Sequence, residues 1–408
     1  MSTTTMARDD GFRIGMLLSD TRYRSYTIQV IAMFVAMLGF AWLVDNTIKN
    51  LAALGKDFSF SFLWQPASYD INQTLIDYTS RSTNFRAAMV GILNTLLVAV
   101  LGCATATLIG VLAGVLRLSK NWLVARLMTI YVETMRNVPV LIWILITAAV
   151  INEFLPAPNQ FRESVDPALR ASPILGGLLV LTNRGFYLAS PVWLDGSEIL
   201  GIVLLICLAA AILFRRWAAK RQAATGRILP VGWIVAGIVV LPTLLAFLML
   251  GMPIGVDYPT LKGFNFQGGV YARDSFIALW LALSLYTGAF IAEIVRSGIL
   301  AVSHGQSEAA FALGLRPNRT MRLVVLPQAL RVIIPPLISQ YLNLTKNSSL
   351  AIAVGYMDVT GTLGGITLNQ TGREMECILL LMGFYLVVSL VISAVMNIYN
   401  SRVKLQER

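Results

Sequence analysis

The sequence predicts an all-α integral membrane protein, and three observations carry that prediction. Of the 408 residues 56% are hydrophobic and only 13% charged, with a mean hydropathy of +0.70. That balance does not describe soluble domains. Uncharged runs recur along the chain, from Thr27 to Val44, Ala87 to Leu116, Asn137 to Asn152, Ile199 to Phe214, Ile228 to Val256, Ser275 to Ala292 and Cys377 to Ser401. A helix crosses the hydrocarbon core with about 20 residues, so most of these runs can span. Strands of alternating polarity, which a transmembrane barrel would show, are missing.

Eight crossings follow in chain order. The first, about 27 to 47, comes after Arg8, Asp9, Asp10 and Arg13 and lacks a small-residue cleavage site behind it. It is read as a retained helix rather than a cleaved signal. The second, about 87 to 116, carries Gly110 and Gly114 at a spacing that lets another helix approach closely. The third starts ahead of its uncharged run, near Met128, and ends near 153, with Glu133 and Arg136 at its cytoplasmic end. The fourth and fifth cover about 196 to 214 and 229 to 251, and the sixth about 274 to 298. The seventh, about 329 to 355, contains Arg331, Pro335, Pro336, Asn343, Lys346, Asn347, Ser348 and Ser349. It is too polar to face lipid and must sit inside the bundle. The eighth covers about 376 to 399.

Long outer loops are expected after the first and third crossings, at 48–86 and 154–195. The second of these, with Leu155 to Pro158 and then Gly176 and Gly177, reads as an irregular exterior lobe. No independent domain is required there.

A net charge of +11 invites comparison with nucleic-acid binding, but the cations are dispersed over short loops rather than gathered on one face. With the N-terminus inside, the cytoplasmic segments hold Arg8, Arg13, Arg22 and Arg24; Arg117, Lys120 and Arg126; Arg215, Arg216, Lys220, Arg221 and Arg227; Arg316, Arg319 and Arg322; and Arg402, Lys404 and Arg408. The longer outer segments hold fewer. The positive-inside rule therefore puts both termini in the cytoplasm, with the lipid bilayer, not nucleic acid, as the surrounding partner. Cys103, Cys207 and Cys377 lie in or beside apolar runs and read as small buried residues, without a disulfide framework. His304, the only histidine, builds no metal site alone.

The stretch Ser303 to Pro327 reads as two short cytoplasmic helices. Ser303 and Gln306 have capping-box spacing, Gly314 suits a left-handed helix end, and Pro317 suits a second helix start. Ala309, Ala310 and Leu313 are expected to form a small apolar ridge that invites a partner.

Here the chain resembles a known family. Glu308, Ala309, Ala310 and Gly314, followed by Val324, Leu326 and Pro327, fit the EAA loop of bacterial ABC importer permeases, with Val324 standing where isoleucine is usual. Further stretches resemble the polar amino acid branch: Gly91 to Thr95, Tyr131 to Leu141, Ala289 to Gln306, Leu326 to Pro336 and Thr345 to Gly355. The elongated layout looks like the general L-amino acid permease subunits. The resemblance implies a five-helix type I permease core from the second, third, sixth, seventh and eighth crossings. Residues 1–86 then form an N-terminal tail, first helix and outer loop. Residues 87–400 form the transmembrane domain, with an insertion at about 155–272 bearing the two extra helices, and 401–408 a cytoplasmic tail.

The resemblance further implies a multi-pass protein of the bacterial inner membrane that is no enzyme. Its implied partners are two ATP-binding cassette subunits, a second homologous permease, a periplasmic substrate-binding protein and an L-amino acid substrate. It assigns Glu308 a polar contact with the ATPase, Ala309 and Ala310 the close approach, and Gly314 the turn. No cofactor belongs to this chain; ATP is hydrolysed by the partner, since no GxxxxGK[ST] phosphate loop occurs in the sequence.

Inside the membrane, Lys346 with Asn347, Ser348 and Ser349 is expected either to line the translocation route, meeting a substrate carboxylate, or to form an ion pair, with Asp358 as the candidate, or snorkel. Arg136 and Pro139 are read as route elements or as plain helix-start chemistry. Glu293 and Arg296, three apart, are expected to pair. The contrasting class is an ion-gradient-driven secondary transporter, which would show paired repeats with broken helices in corresponding positions.

Overall fold

The structure is a computed structural model that describes residues 21–53, 55, 58–168 and 170–403. Arg8 and Arg13 and the tail from Lys404, used above to orient the chain, lie outside the described residues. The chain divides into two compact units, with the boundary between Gln65 and Pro66. In the first unit α1 (Thr21–Ala53) is a single continuous helix, followed by a short turn at Ser61–Trp64.

The second unit contains α2 (Asn84–Leu116), α3 (Trp122–Asn137), α4 (Val140–Phe154), α5 (Ser197–Thr225), α6 (Val231–Met249) and α7 (Asp274–Leu300). After these come α8 (His304–Ala312), α9 (Pro317–Thr320), α10 (Leu326–Asn347) and α11 (Glu374–Val403). Among the described residues eight helices are long and apolar enough to cross a membrane, which agrees with the expected number and class.

Two expected elements change form. The third crossing is two helices, because Val138 is extended at φ −112°, ψ 135° and Pro139 stands at the N-cap of α4 with ψ 139°. Proline disfavours helical backbone in the residue before it, so the chain breaks there rather than kinking. α3 is amphipathic: Met128, Tyr131, Val132 and Met135 recur at helical spacing and pack on Ala113, Ala289 and Ala292. The second short loop helix is likewise not separate. α9 runs through a π-helical stretch, Met321–Val325, into α10. Pro327 lacks the N–H that would continue the α-helical ladder, and a π turn absorbs that loss.

α7 is the centre of the bundle, packed on α2, α3, α4 and α10. Small residues make this possible. A Cβ on Gly110 would stand 2.6 Å from Ile291 Cβ, and one on Gly114 2.6 Å from the Ala292 carbonyl oxygen. The spacing noted in the sequence therefore serves α2–α7 contact within one chain. Polar atoms also cross between helices, as Trp280 Nε1 donates to Thr105 Oγ1 at 3.1 Å and the Tyr131 hydroxyl to the Leu285 carbonyl at 2.7 Å.

The lobe formed by the segments flanking α5 and α6 is more regular than expected. β1 (Leu179–Thr182), β2 (Gly185–Leu188) and β7 (Val270–Arg273) form one antiparallel sheet; β3 (Ser190–Trp193) pairs β4 (Ile254–Asp257), and β5 (Thr260–Lys262) pairs β6 (Asn265–Gln267). Phe266 anchors the last hairpin between Phe161 and Tyr187. Because α7 starts directly after β7 and ends before α8, the lobe and the α8–α9 loop lie at opposite ends of the bundle.

Beside the lobe, the connection after α10 turns at Gly355 and folds back against α2. Asn94 Nδ2 donates to the carbonyls of Gln73 and Met357 at 2.9 and 2.8 Å, and the Val359 N–H donates to Thr95 Oγ1 at 3.0 Å. A Cβ on Gly91 would collide with Thr362 Oγ1 and the Asp358 carbonyl. Gly91, Asn94 and Thr95 thus owe their places in one short motif to this closure.

Candidate functional site

The candidate site begins at the loop end of α7. α8 opens at Ser303, whose backbone is extended at ψ 139°, but the expected capping box is incomplete: the serine hydroxyl makes no cap hydrogen bond. Instead His304 Nδ1 meets Glu308 Oε1 at 3.0 Å, one turn on, and both side chains remain largely exposed. α8 stops where Gly314 takes φ +77°. Nothing lies within 4 Å of a Cβ built there, so backbone conformation and not crowding demands glycine.

Ala309 is exposed, Leu313 is 82% exposed and Phe311 48%. Ala310 is 4% exposed, which corrects the expected ridge. Consecutive helical residues point about 100° apart, so Ala310 turns inward as α8 lies against the Met321–Val325 turn. The presented surface is Glu308, Ala309, Ala312 and Leu313. Val324 is half-buried, Leu326 and Pro327 are exposed, and Gln328 Nε2 donates to the Val324 carbonyl at 3.1 Å, bracing the return of the chain.

Next to this loop the ends of α2, α3 and α7 share a charge cluster. Glu293 meets Arg117, Arg136 and Arg296; the Arg296 contact is 3.2 Å and the Arg136 contact 3.8 Å. Arg117 also approaches Glu133 at 3.8 Å, and its side chain is only 8% exposed. The Arg136 guanidinium lies 5.4 Å from the Phe290 ring centroid. The Glu293–Arg296 pair was legible from spacing. Arg117 was not, since it merely ends a long uncharged run and its partners lie on other helices.

The second part of the site is one face of α10. Val332, Pro335, Pro336, Ser339, Asn343 and Lys346 are all exposed and recur every three or four residues, so they form a single stripe. Among the described residues Ser339, Asn343 and Lys346 have no side-chain hydrogen bond or ion pair. Lys346 therefore does not pair with Asp358, which is fully buried and accepts a 2.8 Å hydrogen bond from the Gly361 N–H. Of the neighbours of Lys346, Asn347 and Ser349 are half-buried, and Ser349 Oγ donates to the Lys346 carbonyl at 2.8 Å. Ser348 is closed off at 0% exposure, its hydroxyl donated to the Thr345 carbonyl at 2.7 Å. Pro139 starts α4, while Arg136 ends α3 in the charge cluster, so the two do not act as one element.

Residues 106–405 match the model of a family described as the binding-protein-dependent transport system inner membrane component. The chain belongs to this family. It is 51% identical over 418 residues to the glutamate/glutamine/aspartate/asparagine transport system permease protein BztB of Rhodobacter capsulatus, covering 98% of each. It is 46% identical to the general L-amino acid transport system permease protein AapQ of Rhizobium johnstonii, over 99% of this chain and 98% of that one. A putative amino-acid ABC transporter permease protein of Escherichia coli, YhdX, is 44% identical over 94% of this chain and 95% of its own length. These are transport permeases, not enzymes, and the chain is a multi-pass membrane component of a binding-protein-dependent system. The ion-gradient-driven alternative finds no support in this family.

Proposed function

We propose that this permease carries acidic, amide and other polar L-amino acids across the bacterial inner membrane, driven by a separate ATPase through the α8–α9 loop. The observation that carries the reading is the loop itself: an exposed Glu308, a small apolar face on Ala309, Ala312 and Leu313, and a turn that only Gly314 makes without strain. An exposed apolar face of this kind suits a partner protein. The permease does no covalent chemistry; two ATP-binding cassette subunits hydrolyse ATP, and a periplasmic substrate-binding protein delivers the amino acid at the lobe end. Both termini lie in the cytoplasm. Residues 87–400 form the transporting domain, with the insertion at about 155–272 and the α1 segment added to it.

A second permease subunit and a translocation route fit the stripe on α10. Polar side chains at membrane depth must be met by protein or water, and Ser339, Asn343 and Lys346 are not met among the described residues. Lys346 supplies the cation for a substrate carboxylate, and the cluster around Glu293 couples the ends of α2, α3 and α7 to the moving loop.

The test is co-purification with the ATPase together with amino acid uptake in proteoliposomes. Glu308→Lys and Gly314→Asp are expected to lose ATPase association and uptake together, whereas Lys346→Met retains association and loses at least about tenfold in uptake, roughly 1.4 kcal/mol. Undiminished association in both loop variants refutes the docking role. Unaltered uptake and substrate preference in Lys346→Met removes the lysine from the route.

A further inference from the structure

The α5–α6 hairpin carries a feature that amino acid transport does not use. α5 has 29 residues, about 44 Å at 1.5 Å per residue, whereas the hydrocarbon core is about 30 Å thick. Its last turns therefore project beyond the core at the end opposite the lobe. Leu200, Cys207, Ala211 and Ala218 are its buried residues, spaced by seven, four and seven, which places them on one stripe. That stripe packs on α6, and α5 and α6 pack chiefly on one another.

The exposed surface at the projecting end carries a group of cations. Arg215, Arg216, Lys220 and Arg221 are all exposed, and Arg227 follows directly after the left-handed Gly226 that ends the helix at φ +69°. No Asp or Glu occurs anywhere from Ile199 to Val256, and none of the five cations makes an ion pair among the described residues. Between them stands Trp217, 51% exposed, with Phe214 against its ring at 5.6 Å and the Arg221 guanidinium 5.2 Å from its centroid. A helix C-terminus favours nearby cations, but that preference does not explain an indole held at the same level, nor five cations with no acid among them. A tryptophan at the depth where a helix leaves the hydrocarbon, ringed by basic side chains, is the chemistry that meets anionic headgroups.

We propose that this collar, Arg215, Arg216, Lys220, Arg221 and Arg227 around Trp217, is a binding site for the phosphate headgroups of anionic phospholipids in the inner leaflet. The lipids anchor a helix hairpin that the bundle itself scarcely holds. The inference rests on the inward orientation proposed above for the loop end.

The test uses the whole transporter, with its ATPase and second permease, in nanodiscs of phosphatidylcholine with or without phosphatidylglycerol. Lipid retained on release from the disc is counted by native mass spectrometry. Wild type is expected to retain phosphatidylglycerol in preference to phosphatidylcholine. The combined Arg215→Gln, Arg216→Gln, Lys220→Gln and Arg221→Gln variant should lose that preference at least about fivefold, since each basic residue near an anionic surface adds severalfold to association. The matching variant with lysine in place of the three arginines should keep it. If the quadruple variant does not assemble, the Arg216→Gln, Lys220→Gln pair is read in the same way.

Equal retention by wild type and the glutamine variants overturns the site. So does displacement of the lipid by excess inorganic phosphate, which would make this a soluble-anion site. Loss of the ATPase from the glutamine variant with lipid preference intact would assign the collar to a protein partner instead. Orientation is read separately, from labelling of an Ala223→Cys variant by an impermeant maleimide: labelling from the lobe side overturns the inner-leaflet assignment while leaving the transport reading to its own test.

Discussion

α7 and both helices of the α5–α6 hairpin are long and apolar enough to cross a membrane, yet the fold uses them in opposite ways. In α7, 72% of the spanning window is buried within the chain, against none in α6. The difference lies in side-chain size and polarity. α7 offers Ala278, Ala282, Ser284, Thr287, Gly288, Ala289 and Ala292 to its neighbours, and α6 displays Val240, Leu241, Leu244, Leu245 and Leu248 outward. Without water there is no hydrophobic force between helices, so close backbone approach and interhelical hydrogen bonds decide which helix becomes the centre. Hydropathy finds both elements and cannot rank them.

The largest expected effect tests this contrast directly. Gly110→Leu should destabilise the protein by about 3 kcal/mol, because the new side chain enters occupied space at Ile291 and the Gly288 carbonyl. Gly232→Leu in α6, where nothing lies within 4 Å of the added Cβ, should leave the thermal unfolding temperature unchanged. Similar losses in both would erase the distinction between the two regions.

A somewhat smaller loss is expected from Glu293→Gln. Removing the shared carboxylate leaves the nearly enclosed Arg117 with only the more distant Glu133 at 3.8 Å, and the partial exposure of Glu293 reduces the cost to about 2 kcal/mol. Arg221→Gln on the hairpin should cost nothing measurable in the same unfolding experiment.

At Gly314 the issue is conformation alone. Gly314→Val should cost about 1 to 2 kcal/mol locally, and Gly314→Asn less, because asparagine tolerates the left-handed region. Uptake should fall further with valine than with asparagine. Equal falls would point to surface contact rather than backbone geometry.

A further prediction concerns Asp358, in the connection between α10 and α11. Burial raises its carboxyl from 3.8 to about 7, with the Gly361 N–H opposing the shift. The folded state then holds a proton that the unfolded chain has released, so stability from this group falls as pH rises between those values. Asp358→Asn should flatten that part of the pH–stability curve. An unchanged slope would show that another group titrates there.

Much of this was legible in the sequence. Charge-free runs marked seven of the eight crossings, the polar content of 329–355 marked the remaining one as a buried helix, and the Glu308 to Pro327 spacing marked the loop. What escaped reading has physical causes. α5 continues for about three turns past the end of its uncharged run at Phe214, because charged residues end a hydrophobic run without ending a helix. The lobe strands are three or four residues long, and β3 finds β4 only after a two-helix excursion, so no hairpin signal marks that pair. Ala310 was expected on the wrong side because its orientation depends on what α8 leans against. The stripe of Ser339, Asn343 and Lys346 appeared only when the other faces of α10 were seen to be covered.

The most direct measurement places one cysteine at Leu313 in a chain with Cys103, Cys207 and Cys377 replaced by alanine, and reacts it with an impermeant maleimide. Labelling should occur in inside-out vesicles stripped of the ATPase and be blocked when the ATPase is restored. Labelling in intact cells, or labelling unaffected by the ATPase, would contradict a loop gripped from the cytoplasm by the motor that drives transport.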